Sequence, residues 1–222
     1  MVGVDLFGLR YAVEMIRFGI SRLPPPDTDD GEWLDSLAAR GHDAVELPFV
    51  TGFPWNERRC SRFGDAAAAR GMAVSVHAPY FAVLTVDDPD KRVKTLAALE
   101  HTMKLGRALG AHTIVAHTGH IKDREPDALH ELVAEGLSRI EPKVRHLGVA
   151  LGLETAGSDR SFGSLGDIAI IGRQFGFVRP VIDWAHVHAK SGGGLTTRQA
   201  FSSVIAFLRS EFPGWAIDPL HT

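Results

Sequence analysis

Short apolar, β-branched runs recur along this 222-residue chain, separated by longer stretches whose apolar positions have helical spacing. That alternation is the pattern of βα units feeding a parallel sheet. It predicts strands at 16–21 (IRFGIS), 44–49 (AVELPF), 73–78 (AVSVHA), 113–118 (TIVAHT), 149–154 (VALGLE), 179–184 (RPVIDW) and 215–221 (WAIDPLH). The helices between them mark their own ends. Asp88-Pro89 reads as an N-cap followed by proline at the first helical position, and Gly71, Gly110, Gly148 and Gly176 stand where a left-handed residue closes a helix.

The passages ARGHDAVEL, ARGMAVSV, ALGAHTIVAH, HLGVALGLE and QFGFVRPVID repeat one order: helix, glycine, strand. The repetition predicts an α/β fold, a (β/α)8 TIM barrel truncated after about seven units, because no eighth strand precedes Thr222. An open doubly wound sheet is the competing architecture. It would carry a Gly-rich phosphate loop after its first strand, where this chain has Leu23-Pro24-Pro25-Pro26. The barrel domain is expected over 15–222, preceded by an N-terminal extension over 1–14.

Composition narrows the partners. A hydrophobic content of 45% supports one sizeable core, and a net charge of −3 excludes a global basic field for holding nucleic acid. A polyanion would have to be held by a local patch or by bound metal. Cys60, the single cysteine, excludes an internal disulfide. The chain shows neither a run of about 18 apolar residues nor the order of a secretory signal, so a soluble, cytoplasmic monomer is expected.

The potential ligands fall at successive strand ends: His77, His117, Glu154, Asp183 with His186, and His221. In a closed parallel barrel those ends open onto one face, so side chains distant in sequence converge at one mouth. Imidazoles and carboxylates without a thiolate suit zinc in a catalytic site, with manganese or iron also compatible. Glu154 ends an apolar strand, and burying an unpaired carboxylate there costs several kcal/mol unless a cation compensates it.

Other residues carry weaker signals. Glu46 fits either a supporting or acid/base group at the mouth or an ordinary ion pair. Tyr80 and Phe81 follow His77-Ala78-Pro79, where an aromatic could wedge against substrate or simply pack the loop. His120 and His188 lie in loops just past His117 and His186, and read either as substrate contacts or as solvated histidines. His42, His101, His112, His130 and His146 fall on helices or on turns at the opposite end. The loop Ser191-Gly192-Gly193-Gly194 has no phosphate-loop pattern.

SVHAPY at 75–80, AHTGH at 116–120, LETAG at 153–157 and IDWAHVHA at 182–189 together resemble the endonuclease IV family (AP endonuclease family 2) of apurinic/apyrimidinic endonucleases. The likeness spans roughly residues 16 to 222. That family belongs to the xylose-isomerase-like barrel superfamily, whose sugar isomerases and epimerases share the strand-five Glu and strand-six Asp, so His77 and His117 carry most of the distinction. The chain departs from the family at Thr118, commonly proline there, and at Glu154-Thr155-Ala156-Gly157, which lacks an asparagine. The family's later Asp-x-His pair and strand-eight Glu have no counterpart in this sequence.

The resemblance implies a zinc centre of two or three ions that hydrolyses the phosphodiester 5′ to an abasic site in double-stranded DNA, as in DNA repair. It implies that His77 and His117 bind one zinc, that Glu154 bridges it to a second held also by Asp183, that His186 helps bind a third, and that His221 stands at the strand-seven ligand position. Glu154 is thereby the candidate catalytic residue, and Tyr80, His120 and Glu46 are candidate substrate contacts. The alternative is a metal-dependent sugar (phosphate) isomerase or epimerase using Mn2+ or Mg2+, with Glu46 and Glu154 moving a proton on a small sugar substrate.

Overall fold

The computed structural model describes residues 2–4, 10–12 and 16–222. The extension expected over 1–14 lies mostly outside the described residues; within it β1 (Val2–Val4) and β2 (Arg10–Ala12) pair antiparallel.

From there strands and helices alternate. The order is β3 (Gly19–Ser21), α1 (Asp30–Ala38), β4 (Ala44–Pro48), α2 (Glu57–Ala68), β5 (Ala73–His77), α3 (Pro89–Leu109), β6 (Thr113–His117) and α4 (Pro126–Val144). A short 3-10 turn, β7 (Ala150–Glu154), α5 (Leu165–Gly172), β8 (Val178–Val181), α6 (Trp184–Lys190), α7 (Arg198–Glu211) and α8 (Gly214–Ile217) complete it. Strands β3 to β8 form one sheet in sequence order, every neighbouring pair parallel. Sequential order with a helix after each strand is the winding of a TIM barrel, not of a doubly wound sheet. The strand interiors Val45, Leu47, Val76, Ile114, Leu151 and Leu153 are buried.

Helix ends follow the chemistry of their caps. Asp88 accepts from the Lys91 N–H at 2.9 Å with Pro89 behind it, and Gly110 closes α3 at φ 65°. Gly71 and Gly148 are left-handed as expected. Gly176 is not, because α5 already ends at Gly172 and turns lead from there to β8.

The strand expected over 215–221 is a correction. Pro213 starts a single helical turn, α8, and the Asp218 N–H closes it onto the Gly214 carbonyl at 2.8 Å. Pro219 then offers no N–H to a ladder. What remains of strand seven is one parallel bridge between Val181 and His221, with the Ile182 N–H donating to the His221 carbonyl at 3.0 Å. A four-residue apolar run such as 214–217 cannot be told from a buried strand by periodicity alone.

The loop carrying Tyr80 is tied down from behind. Arg92, buried on α3, donates to the carbonyls of Leu84 at 3.3 Å and Val86 at 3.1 Å, and also reaches Leu132 and Glu135 on α4. Among the described residues no helix is long and apolar enough to cross a membrane.

Candidate metal centre

Sheet register explains which side chains meet. His117 and Glu154 are direct partners across β6 and β7, and His77 on β5 stands opposite Val115, two residues before His117. Side chains two apart on a strand share a face, so the two imidazoles and the carboxylate project together at the C-terminal rim. Glu154 is in register with Val181, and Asp183 follows two residues later as the N-cap of α6.

The Nε2 atoms of His77 and His117 lie 3.2 Å apart. Two nitrogens on one tetrahedral zinc, at bonds of about 2.0–2.1 Å, would be separated by roughly 3.3 Å. His117 Nδ1 is 3.0 Å from Glu154 Oε2, yet the approach is too oblique for a hydrogen bond, and that oxygen is buried without a partner. A buried carboxylate oxygen left bare is costly. A cation held among these groups would supply a partner for it. One ligand atom each from His77, His117 and Glu154 fall within 4.8 Å of one another, and the same holds for Glu154, Asp183 and His186. The donor set is all imidazole and carboxylate, which suits a hard or borderline divalent ion.

His186 is oriented by its backbone surroundings. Its Nδ1 lies 2.8 Å from the Thr155 carbonyl, which can only accept, so Nδ1 carries the proton and Nε2 keeps its lone pair. Asp183 Oδ1 accepts from the His186 N–H at 2.8 Å, while the Asp183 N–H donates to Thr155 Oγ1 at 3.0 Å. Gly157 leaves room for the ring: a Cβ there would stand 2.7 Å from His186 Cδ2.

Glu46 lies one layer deeper, in register with Ser21 on β3 and Ser75 on β5. Its Oε1 accepts from Ser21 Oγ at 2.9 Å and faces His77 Nδ1 at 3.3 Å. Burial pushes the Glu46 carboxyl up, but His221, His77 and Ser21 around it outweigh burial and hold it well below the usual carboxylate range. His221 Nε2 lies 3.9 Å from Glu46 Oε2, too far for a hydrogen bond of ordinary length. Burial disfavours a charged His77, but the hydrogen bond and charge of Glu46, with Glu154 beyond, raise it above the ordinary histidine value.

These groups surround a cavity of about 270 Å3, lined by Glu46, His77, Glu154, Asp183, Trp184 and His221 among others. Tyr80, 58% exposed, stacks on His117 with ring centres 5.3 Å apart. Of the residues anticipated from the sequence, His77, His117, Glu154, Asp183 and His186 come together in the two groups. His221 stands apart beside Glu46. His120 is exposed, its N–H donating to Thr85 Oγ1 at 2.8 Å, and it does not line the cavity. Ser21, Thr155 and Trp184 are not singled out by the sequence. Thr155 and Trp184 have a signal there, their places directly after Glu154 and Asp183 at strand ends.

The family model described as xylose isomerase-like TIM barrel matches residues 34–211. An uncharacterized protein of Methanocaldococcus jannaschii is 24% identical over 212 residues, covering 93% of this chain and 75% of that protein. Among solved structures, D-psicose 3-epimerase from Clostridium cellulolyticum H10 superposes with a TM-score of 0.68 at 16% identity, covering 87% of this chain and 71% of that one. Endonuclease IV from Thermus thermophilus gives 0.65 at 16% identity, covering 90% and 74%. At these identities the likeness is one of fold, and it extends equally to an epimerase and to a nuclease. With most of its length matched and its strands wound in barrel order, the chain belongs to the xylose isomerase-like TIM barrel family.

Proposed function

We propose that this chain is a zinc-dependent phosphodiesterase that cuts double-stranded DNA 5′ to abasic sites. The observation that carries the proposal is that Glu154 belongs to both ligand groups, His77–His117–Glu154 and Glu154–Asp183–His186. Glu154 would thereby be a ligand available to two cations, one held with His77 and His117 and one with Asp183 and His186. A pair of ions would supply water activation and charge neutralisation on both sides of an in-line displacement at phosphorus.

The residues themselves account for the rest. Thr155 and Asp183 hold His186 with Nε2 free, and the Ser21–Glu46 layer supports His77 from below. The cavity volume of about 270 Å3 falls just under the roughly 300–1,000 Å3 of most small-molecule pockets. It suits a sugar phosphate stripped of its base better than a whole nucleotide, and a missing base also lowers the cost of extruding that sugar from the duplex. Tyr80 at the rim offers an exposed ring to neighbouring bases. A chain of net charge −3 would hold a polyanion this way because the attracting charge would be supplied by the ions.

A second reading has its own support. Glu46 and Glu154 both line the cavity, an arrangement in which two acidic groups could move a proton on a ketose held by one ion of Mn2+ or Mg2+. The two readings part in one assay. Zinc-loaded protein is offered a duplex with a single abasic site and, separately, D-fructose and D-tagatose. Nicking 5′ to the lesion with a 3′-hydroxyl product is the expected result. Sugar interconversion with an intact duplex would replace the first reading by the second.

A further inference from the structure

We propose that Glu46 is a positioning residue of this centre: it fixes the His77 ring as the tautomer protonated on Nδ1 and so presents a bare Nε2 toward His117 Nε2, within the group that also includes Glu154. The inference rests on the metal centre proposed above and names what holds its first ligand.

Glu46 is itself immobilised. Its backbone is a central rung of the sheet, paired to Ser21 on one side and Ser75 on the other. Its Oε1 is pinned by the Ser21 hydroxyl at 2.9 Å, and the same oxygen meets His77 Nδ1 at 3.3 Å. An ionised carboxylate can only accept hydrogen bonds, so the shared proton must reside on Nδ1. In neutral imidazole the other nitrogen then carries a lone pair, and His77 Nε2 stands 3.2 Å from His117 Nε2. Without Glu46 the His77 ring would be free to take its proton on Nε2, which would block the ligand position.

The arrangement also bears on how Glu46 can act. A carboxylate whose Oε1 is held by the Ser21 hydroxyl and faces His77 Nδ1 is already engaged on that oxygen. Orienting a ring requires such engagement, whereas exchanging a proton with a substrate carbon requires release from it.

The test has two independent readouts on the full chain. Nitrogen-15 NMR of the metal-free protein, above the pH at which His77 titrates, reports the tautomer directly. The wild type is expected to show Nδ1–H, Glu46→Gln to retain it through the amide oxygen, and Glu46→Ala to lose it. Cobalt titration, followed by visible absorption, reports the ligand site: affinity at the His77–His117–Glu154 group is expected to fall roughly 10- to 100-fold in Glu46→Ala, with recovery in Glu46→Gln. Ser21→Ala, a milder change, is expected to move both readouts in the same direction. A wild-type His77 protonated on Nε2, or a Glu46→Ala protein with the wild-type tautomer and cobalt affinity, would overturn the proposal. A wild type that shows Nδ1–H and binds no divalent ion would instead overturn the metal centre and leave the orientation by Glu46 standing.

Discussion

His77 and His117 hold their Nε2 atoms 3.2 Å apart, from strands that place them 40 residues from each other in the chain. Two imidazole lone pairs that close repel unless a proton or a cation lies between them. His77→Ala and His117→Ala are each expected to remove one ion per chain and leave the ion at Glu154, Asp183 and His186. Elemental analysis of the purified variants checks this. Both ions lost together would mean that the groups form one site.

Gly157 sets the place of His186. A Cβ at 157 would lie 2.7 Å from the imidazole and 3.2 Å from the His186 Cα, so backbone as well as ring must shift. Gly157→Ala is expected to weaken ion binding at the second group by roughly tenfold, the lower end for disturbed ligand support, while the His77–His117 group keeps its affinity. Isothermal titration with zinc distinguishes the two classes of site.

Tyr80 stacks on His117 with an interplanar angle of 28° while more than half its surface faces solvent. Its removal in Tyr80→Ala is expected to leave the ion count unchanged and to weaken binding to an abasic duplex by about 1–3 kcal/mol. Fluorescence anisotropy at fixed salt measures it.

Much of this centre is legible in the amino-acid sequence alone, for a definable reason. Strand ends announce themselves through apolar periodicity and the glycine before each strand, and parallel winding brings all such ends to one rim. Hence His77, His117, Glu154, Asp183 and His186 stand out as a set. What needs register does not. Glu46 sits opposite Ser21 and Ser75, one layer below His77, and no spacing in the sequence reports that depth. The contribution of Thr155 to His186 is a backbone carbonyl, which residue type does not reveal. The segment 215–221 reads as a strand because a short apolar run is equally compatible with one helical turn, and Pro213 and Pro219 decide for the turn only once their hydrogen-bonding partners are known.

Stability outside the site has a pH signature. Asp167 completes a capping box with Ser164 at the start of α5 and also meets His130 Nε2 at 2.9 Å. Burial raises its carboxyl, but bonds from Ser164, the Gly163 N–H and His130 outweigh burial and lower it below 3.8. A depressed folded value means that the contribution is fully present above 3.8 and is lost as pH falls through the folded value. Asp167→Ala is therefore expected to cost about 1 kcal/mol near neutrality and progressively less under acid conditions. Urea denaturation at about pH 6 and about pH 3, on either side of the ordinary carboxylate range, tests the sign.

The most direct test of the shared carboxylate is the number of ions per chain in wild type and in Glu154→Ala, by inductively coupled plasma mass spectrometry after equilibration with zinc and desalting. Two or more ions per chain are predicted for the wild type, with both groups depleted in the variant. A wild type holding one ion or none, or a Glu154→Ala protein that retains two, would contradict the account.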